Sequence, residues 1–94
     1  MAAFAVFYTY DDRSADRDTH RPAHRAFLGD LLESGVVLAA GAYSDAGAPG
    51  ALLLLRAESE AEVTAVLAQD PFVLAGLVPG VEIREWSAGV GPWA

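Results

Sequence analysis

Phe4-Ala5-Val6-Phe7-Tyr8-Thr9-Tyr10 is the stretch on which the fold turns. Aromatic and β-branched residues with small ones between them make it a strand. Alternate residues of a strand point to opposite faces, and here both faces are apolar, as in a central strand covered on two sides. The run Leu52-Leu53-Leu54-Leu55 has the same two-sided character.

Working outward, residues 11–19 read as a polar, charged loop without periodicity. Pro22 is tolerated in the first turn of a helix, so a helix is expected to begin near it, capped by Thr19 or a neighbour. That helix runs to about Ser34, and Gly35 supplies a left-handed stop. Its inward stripe is His24, Phe27, Leu28 and Leu31, with Arg25 and Asp30 reaching water. Residues 36–43 read as a second strand, broken at Gly41. Ser44-Asp45-Ala46-Gly47-Ala48-Pro49-Gly50 is dense in turn formers and joins it to a third strand over residues 51–57. Ser59 and Glu62 form a capping box before a helix over residues 60–69, whose Val63, Val66 and Leu67 share a face. Pro71 ends it, and residues 71–76 make a short further turn. Residues 81–86 alternate Val81, Ile83 and Glu85 against Glu82, Arg84 and Trp86, which suits an edge strand.

The order β-α-β-β-α-β implies an α+β domain spanning residues 1–94, a four-stranded antiparallel sheet with both helices on one face. The other sheet face has no helix left to cover it, yet its strands are apolar. Composition points the same way: 53% of 94 residues are hydrophobic and mean hydropathy is +0.27, rich for so small a domain. Two sheets packed across a two-fold axis would hide the excess, giving a dimeric α+β barrel.

Several function classes are disfavoured. No apolar run approaches the roughly 18–20 residues that span a bilayer, and the first residues lack the basic region and cleavage site of a signal peptide. A cytoplasmic protein is expected. Net charge is −7, so nucleic acid is a poor partner. The absence of cysteine removes disulfides and thiolate metal sites together. His20 and His24 are four apart, but no third ligand has matching spacing. No phosphate loop, nucleophile elbow or flavin or nicotinamide fingerprint is present, and Ser34, Ser44, Ser59 and Ser87 carry no local sign of activation. No cofactor is expected.

Two residues carry a chemical signal. An imidazole on the apolar stripe needs a hydrogen-bond partner, so His24 is either a satisfied core residue or the acid/base of a buried site. Asp70 precedes a proline, leaves the second helix and is free to turn. It is a good N-cap for the turn that follows, and one carboxylate can cap a turn and orient an imidazole at once. Arg21 either receives an anionic substrate or pairs with Asp16, Asp18 or solvent. Tyr8, Tyr10, Phe72 and Trp86 either line a pocket for a planar ring or belong to the core or an interface. Trp93 either packs across a dimer or is loose.

Arg21-Pro22-Ala23-His24 followed by Asp70-Pro71-Phe72, in a chain of this length and layout, resembles the YCII-related (YciI-like) family. The resemblance covers essentially the whole chain and implies a ferredoxin-like fold and a dimeric α+β barrel. It implies that His24 and Asp70 form a catalytic dyad at a cleft, with Arg21 matching the arginine ahead of the histidine. Members commonly carry Gly-Pro after the second strand, whereas this chain has Gly41-Ala42 in the cleft wall. The family's chemistry includes dehydrochlorination of a chlorinated hydroxyquinol.

The expected function is cofactor-independent acid/base chemistry, of lyase or isomerase type, on a small cyclic or aromatic molecule. His24 moves the proton and Asp70 fixes its tautomer, while Arg21, Tyr8 and Phe72 are the candidate substrate contacts. The alternatives are a non-catalytic module that binds a small ligand or partner chain, with a structural dyad, and a cofactor-free monooxygenase. Elemental analysis of protein purified without a tag is expected to find zinc, iron and copper well below one per chain.

Overall fold

The computed structural model describes residues 2–94. Its elements are β1 (Ala2–Thr9), α1 (Ser14–Glu33), β2 (Val37–Ala42), β3 (Gly50–Ala57), α2 (Glu60–Leu67), α3 (Pro71–Leu74) and β4 (Gly80–Trp86). The strands form one antiparallel sheet in the order β2-β3-β1-β4, the ferredoxin-like arrangement, with β1 in the interior and β4 at an edge.

Register explains the two-sided strands. Val6 lies opposite Leu53 and Ile83, and Phe4 opposite Leu55. These residues join Tyr8, Val63, Leu67 and Phe72 in the core beneath the helices. One residue along, Phe7 lies opposite Leu52 and Ala5 opposite Leu54, on the sheet face that the helices do not cover. Leu52 is 36% exposed and Trp86 38%. Among the described residues, no helix is long and apolar enough to cross a membrane.

The first helix departs from the sequence reading. It begins at Ser14 rather than near Pro22, so the expected polar loop over residues 11–19 is mostly helix and Thr19 is not its cap. Pro22 sits inside it, and a proline there forgoes one backbone bond, to the carbonyl four residues back. That carbonyl belongs to Asp18, which is exposed and can be solvated. The extra turns are held by Arg17, which is 6% exposed, stacks 4.8 Å over the Tyr10 ring and donates to the Asp11 carbonyl at 2.8 Å. Hydrophobic periodicity cannot register a helix face built from arginine stems. Before the helix, Asp11 accepts from the Arg13 backbone and side chain, and Arg13 reaches on to the Gly76 carbonyl at 2.9 Å. At the far end Gly35 adopts φ +83°, while Val36 N–H reaches the Leu31 carbonyl and Gly35 N–H that of Leu32. This is the left-handed stop expected there.

The remaining differences are small. The irregularity in β2 falls between Val37 and Ala39, not at Gly41. Ser59 caps α2 by accepting from Glu62 N–H at 3.2 Å, but the Glu62 carboxylate returns to Glu58 N–H rather than to that of Ser59.

Gly50, at the entry to β3, is constrained by close approach rather than by a positive φ. A Cβ there would press on the Tyr8 carbonyl oxygen and lie 2.7 Å from the Tyr43 ring. Gly50→Ala is therefore expected to destabilise the fold by about 1–3 kcal/mol. Gly41→Ala, where a Cβ meets nothing within 4 Å, should cost far less on those grounds. Urea denaturation of the two variants checks the difference.

Candidate functional site

α1 carries His24 to the middle of its length, not to its start, and presents it toward the turn between α2 and α3. Asp70 occupies that turn in extended geometry (φ −62°, ψ 126°), as its place before Pro71 dictates. It caps α3 through Phe72 N–H at 2.9 Å. The same oxygen, Oδ1, accepts from His24 Nδ1 at 2.7 Å, and Oδ2 accepts from the Tyr8 hydroxyl at 2.8 Å. Asp70 is fully buried and His24 is 7% exposed. Capping and imidazole orientation are thus performed by one carboxylate.

The tautomer follows from this geometry. An ionised carboxylate only accepts, so Nδ1 carries the proton and neutral His24 keeps a lone pair on Nε2. Every buried side-chain nitrogen or oxygen among the described residues has a partner, and Nε2 has none in the protein. Nε2 is therefore open to the cleft that His24 lines. That cleft, about 430 Å³, lies between α1 and strands β2 and β3. Its walls include Arg21, Arg25, Leu28, Tyr10 and the β2 segment with Gly41 and Ala42.

Phe72 packs against the imidazole, ring centroids 3.9 Å apart and planes within 2°. Tyr10 meets the Phe72 ring edge-on at 5.9 Å, and the Arg21 guanidinium sits 5.7 Å from its centroid. Burial and then the charge of Asp70 push the Tyr10 phenol up to about 12, with Arg17 and Arg21 opposing. The Tyr8 phenol is raised further, by burial first and then by the Asp70 charge. Both tyrosines are hydroxyl donors at neutral pH, not bases.

The structure thus brings His24, Asp70, Tyr8 and Phe72 into one cluster and places Arg21 at the cleft. Tyr8 and Phe72 do not line the cleft. They are buried against Asp70 and His24, Tyr8 through its hydroxyl and Phe72 through its stacked ring. Arg21 also pairs with Asp18 at 3.1 Å, and His20 is exposed on α1. Trp86 lies on the sheet away from this site, where Trp93 shares a shallow cavity with it. Two further residues border the cleft: Arg25, which is exposed as its place on α1 predicts, and Tyr10, one of the aromatic residues the sequence offers for a pocket. Arg25 follows Arg21 by one turn, and that spacing is the signal that could have found it.

The YCII-related domain matches the chain over residues 2–87. Among curated proteins no significant match is found. Solved structures are similar as well, among them the following three. The 5-chloro-2-hydroxyhydroquinone dehydrochlorinase TftG from Burkholderia phenoliruptrix AC1100, in complex with 2,5-dihydroxybenzoquinone, is 27% identical. The match covers 93% of this chain and 95% of that one, with a TM-score of 0.81. An antibiotic biosynthesis monooxygenase is 12% identical over 94% and 98% of the two chains, TM-score 0.59. Protein Atu4242 from Agrobacterium tumefaciens is 14% identical over the whole of both chains, TM-score 0.55. These last two share the fold alone.

Two outcomes are expected. Tyr8→Phe leaves Asp70 Oδ2 buried without its donor and should cost about 1–3 kcal/mol in urea denaturation. The tyrosine shifts also set an alkaline limit. A phenol whose pKa is raised on folding stabilises the native state fully below its unfolded value near 10. That contribution disappears as pH climbs to the folded value, about 12 for Tyr10. Unfolding free energy should therefore fall across this window, and less steeply in Tyr10→Phe.

Proposed function

The chain belongs to the YCII-related domain family, and on that footing we propose that it is a homodimeric, cofactor-independent acid/base enzyme for a small cyclic or aromatic molecule. The observation that carries the reading is the pairing of His24 Nδ1 with the buried Asp70 carboxylate at 2.7 Å, which leaves Nε2 free at the cleft. TftG, named as a dehydrochlorinase and bound to a quinone, supports both the reaction type and the planar ring.

His24 Nε2 takes a proton from an sp³ ring carbon or from a ring hydroxyl. In a lyase, the electron pair of that C–H or O–H bond forms a new π-bond, any double bond in between shifts, and the substituent on an sp³ carbon of the ring (the keto form of a hydroxyquinol) departs with its own pair. In an isomerase, the double bond shifts and the proton returns from Nε2 to a different carbon. Either way the imidazolium formed is stabilised by Asp70, which already accepts from Nδ1, and by the Phe72 face stacked on it. No side-chain nucleophile is needed.

A second reading, a non-catalytic ligand-binding module, is favoured by one observation: Asp70 caps α3 and both of its own oxygens are hydrogen-bonded within the protein. The two readings separate on His24→Gln. A catalytic base predicts a loss of turnover of about 10²–10⁴-fold on halogenated hydroxyquinols, with the fold retained by circular dichroism. Unfolding as the first consequence, or unchanged turnover, would sink the enzyme reading.

Dimerisation through the helix-free sheet face follows from its apolar centre, Ala5, Phe7, Leu52 and Leu54. Light scattering at micromolar concentration should give twice the chain mass. Leu54→Glu on that face should shift the protein toward monomer.

A further inference from the structure

The charge of the cleft is out of keeping with the chain. Acidic residues outnumber basic ones 13 to 6, yet no Asp or Glu lines the cleft, and Arg21 and Arg25 do. They lie one turn apart on α1 beside His24, Arg21 half-buried and Arg25 exposed at the edge of the cleft. Like charges at that spacing repel and weaken a helix. Asp18 relieves Arg21 in part, through an ion pair with a carboxylate that is 71% exposed and well screened. Among the described residues, no carboxylate lies within ion-pair distance of Arg25.

One turn further along α1 is Gly29, also a cleft residue. Glycine inside a helix is less stable than alanine. Packing does not require it here, since a Cβ would meet nothing within 4 Å. Glycine at this point adds no side chain to the cleft wall and leaves Arg25 without a side-chain partner one turn on.

We propose that the cleft receives its ring substrate as an anion, held by the guanidiniums of Arg21 and Arg25 on successive turns of α1, with Gly29 adding no side chain on the following turn. The proposal rests on the cleft being a substrate site and adds the charge of the substrate and a binding role for Arg25. A net charge of −7 repels an anion at long range. Two guanidiniums in a cleft with apolar walls reverse that field locally. The planar guanidinium also suits enolate, phenolate or carboxylate oxygens better than an ammonium group would.

The test compares two rings of similar shape: 2,5-dihydroxybenzoquinone, a vinylogous diacid that ionises in neutral solution, and neutral 2,5-dimethoxybenzoquinone. Both are titrated by calorimetry into the wild type, Arg25→Gln, Gly29→Glu and His24→Gln. The wild type should bind the anionic ring about tenfold or more tighter, a preference worth about 1.4 kcal/mol, and added salt should erode it. Arg25→Gln should bring the ratio toward unity. So should Gly29→Glu, which sets a carboxylate beside Arg25 and should not lower the thermal midpoint. His24→Gln should keep the preference. Equal binding of the two rings by the wild type, a preference unchanged in Arg25→Gln and Gly29→Glu, or no binding of the anionic ring overturns the proposal. Anion preference without turnover would remove the enzyme reading and leave the cleft as an anion-binding site of Arg21 and Arg25; turnover without anion preference would keep the enzyme reading and overturn this inference.

Discussion

A single buried carboxylate joins three parts of the chain that are distant in sequence. Asp70 accepts from His24 on α1, from Tyr8 on β1 and from the first turn of α3. Removing an ionised carboxylate from water costs several kcal/mol. Hydrogen bonds to a charged group return about 1.5–3 kcal/mol each, so a single donor would not suffice and three are of the right order. The consequence is geometric as well as energetic. α1 must lie where His24 reaches the turn after α2, and β1 must lie where Tyr8 reaches it from below. The cleft between α1 and β2 is the space left when both conditions hold.

The groups around Asp70 hold it and its histidine in place. Tyr8 and the Phe72 amide hold the carboxylate, Phe72 holds the plane of the imidazole, and Nε2 of His24 has no partner in the protein. Rigid support of this sort is what the proposed proton transfer would require, since the proton must be met at hydrogen-bonding distance and in one direction. Tyr10 and Arg17 continue the packing outward and explain why α1 persists through Pro22. The helix is stabilised by what its early turns touch rather than by their own propensity.

Sequence reasoning went furthest where the chemistry is local. The strand at residues 4–10, the stop at Gly35, the cap at Ser59 and the turn at Asp70-Pro71 each depend on neighbours a few residues away, and each was legible. The start of α1 was not, because a proline and a run of charged residues look like a loop until Tyr10 and the Asp11 carbonyl supply partners for Arg17. His24 was legible as an anomaly, a polar ring on an apolar stripe. Its pairing with Asp70 came from a family likeness rather than from spacing.

The sequence by itself determined the order of elements, the apolar character of both sheet faces, and the residue types available for proton transfer. These are set by side-chain periodicity and backbone preferences that act within a few residues. Only the tertiary structure decided that Tyr8 and Phe72 pack against Asp70 and His24 without lining the cleft. It also decided that Arg25, though exposed, borders the cleft, and that Nδ1 is the nitrogen of His24 that pairs with Asp70. Each of those outcomes depends on which distant group reaches Asp70 first, and such competition is resolved by packing in three dimensions.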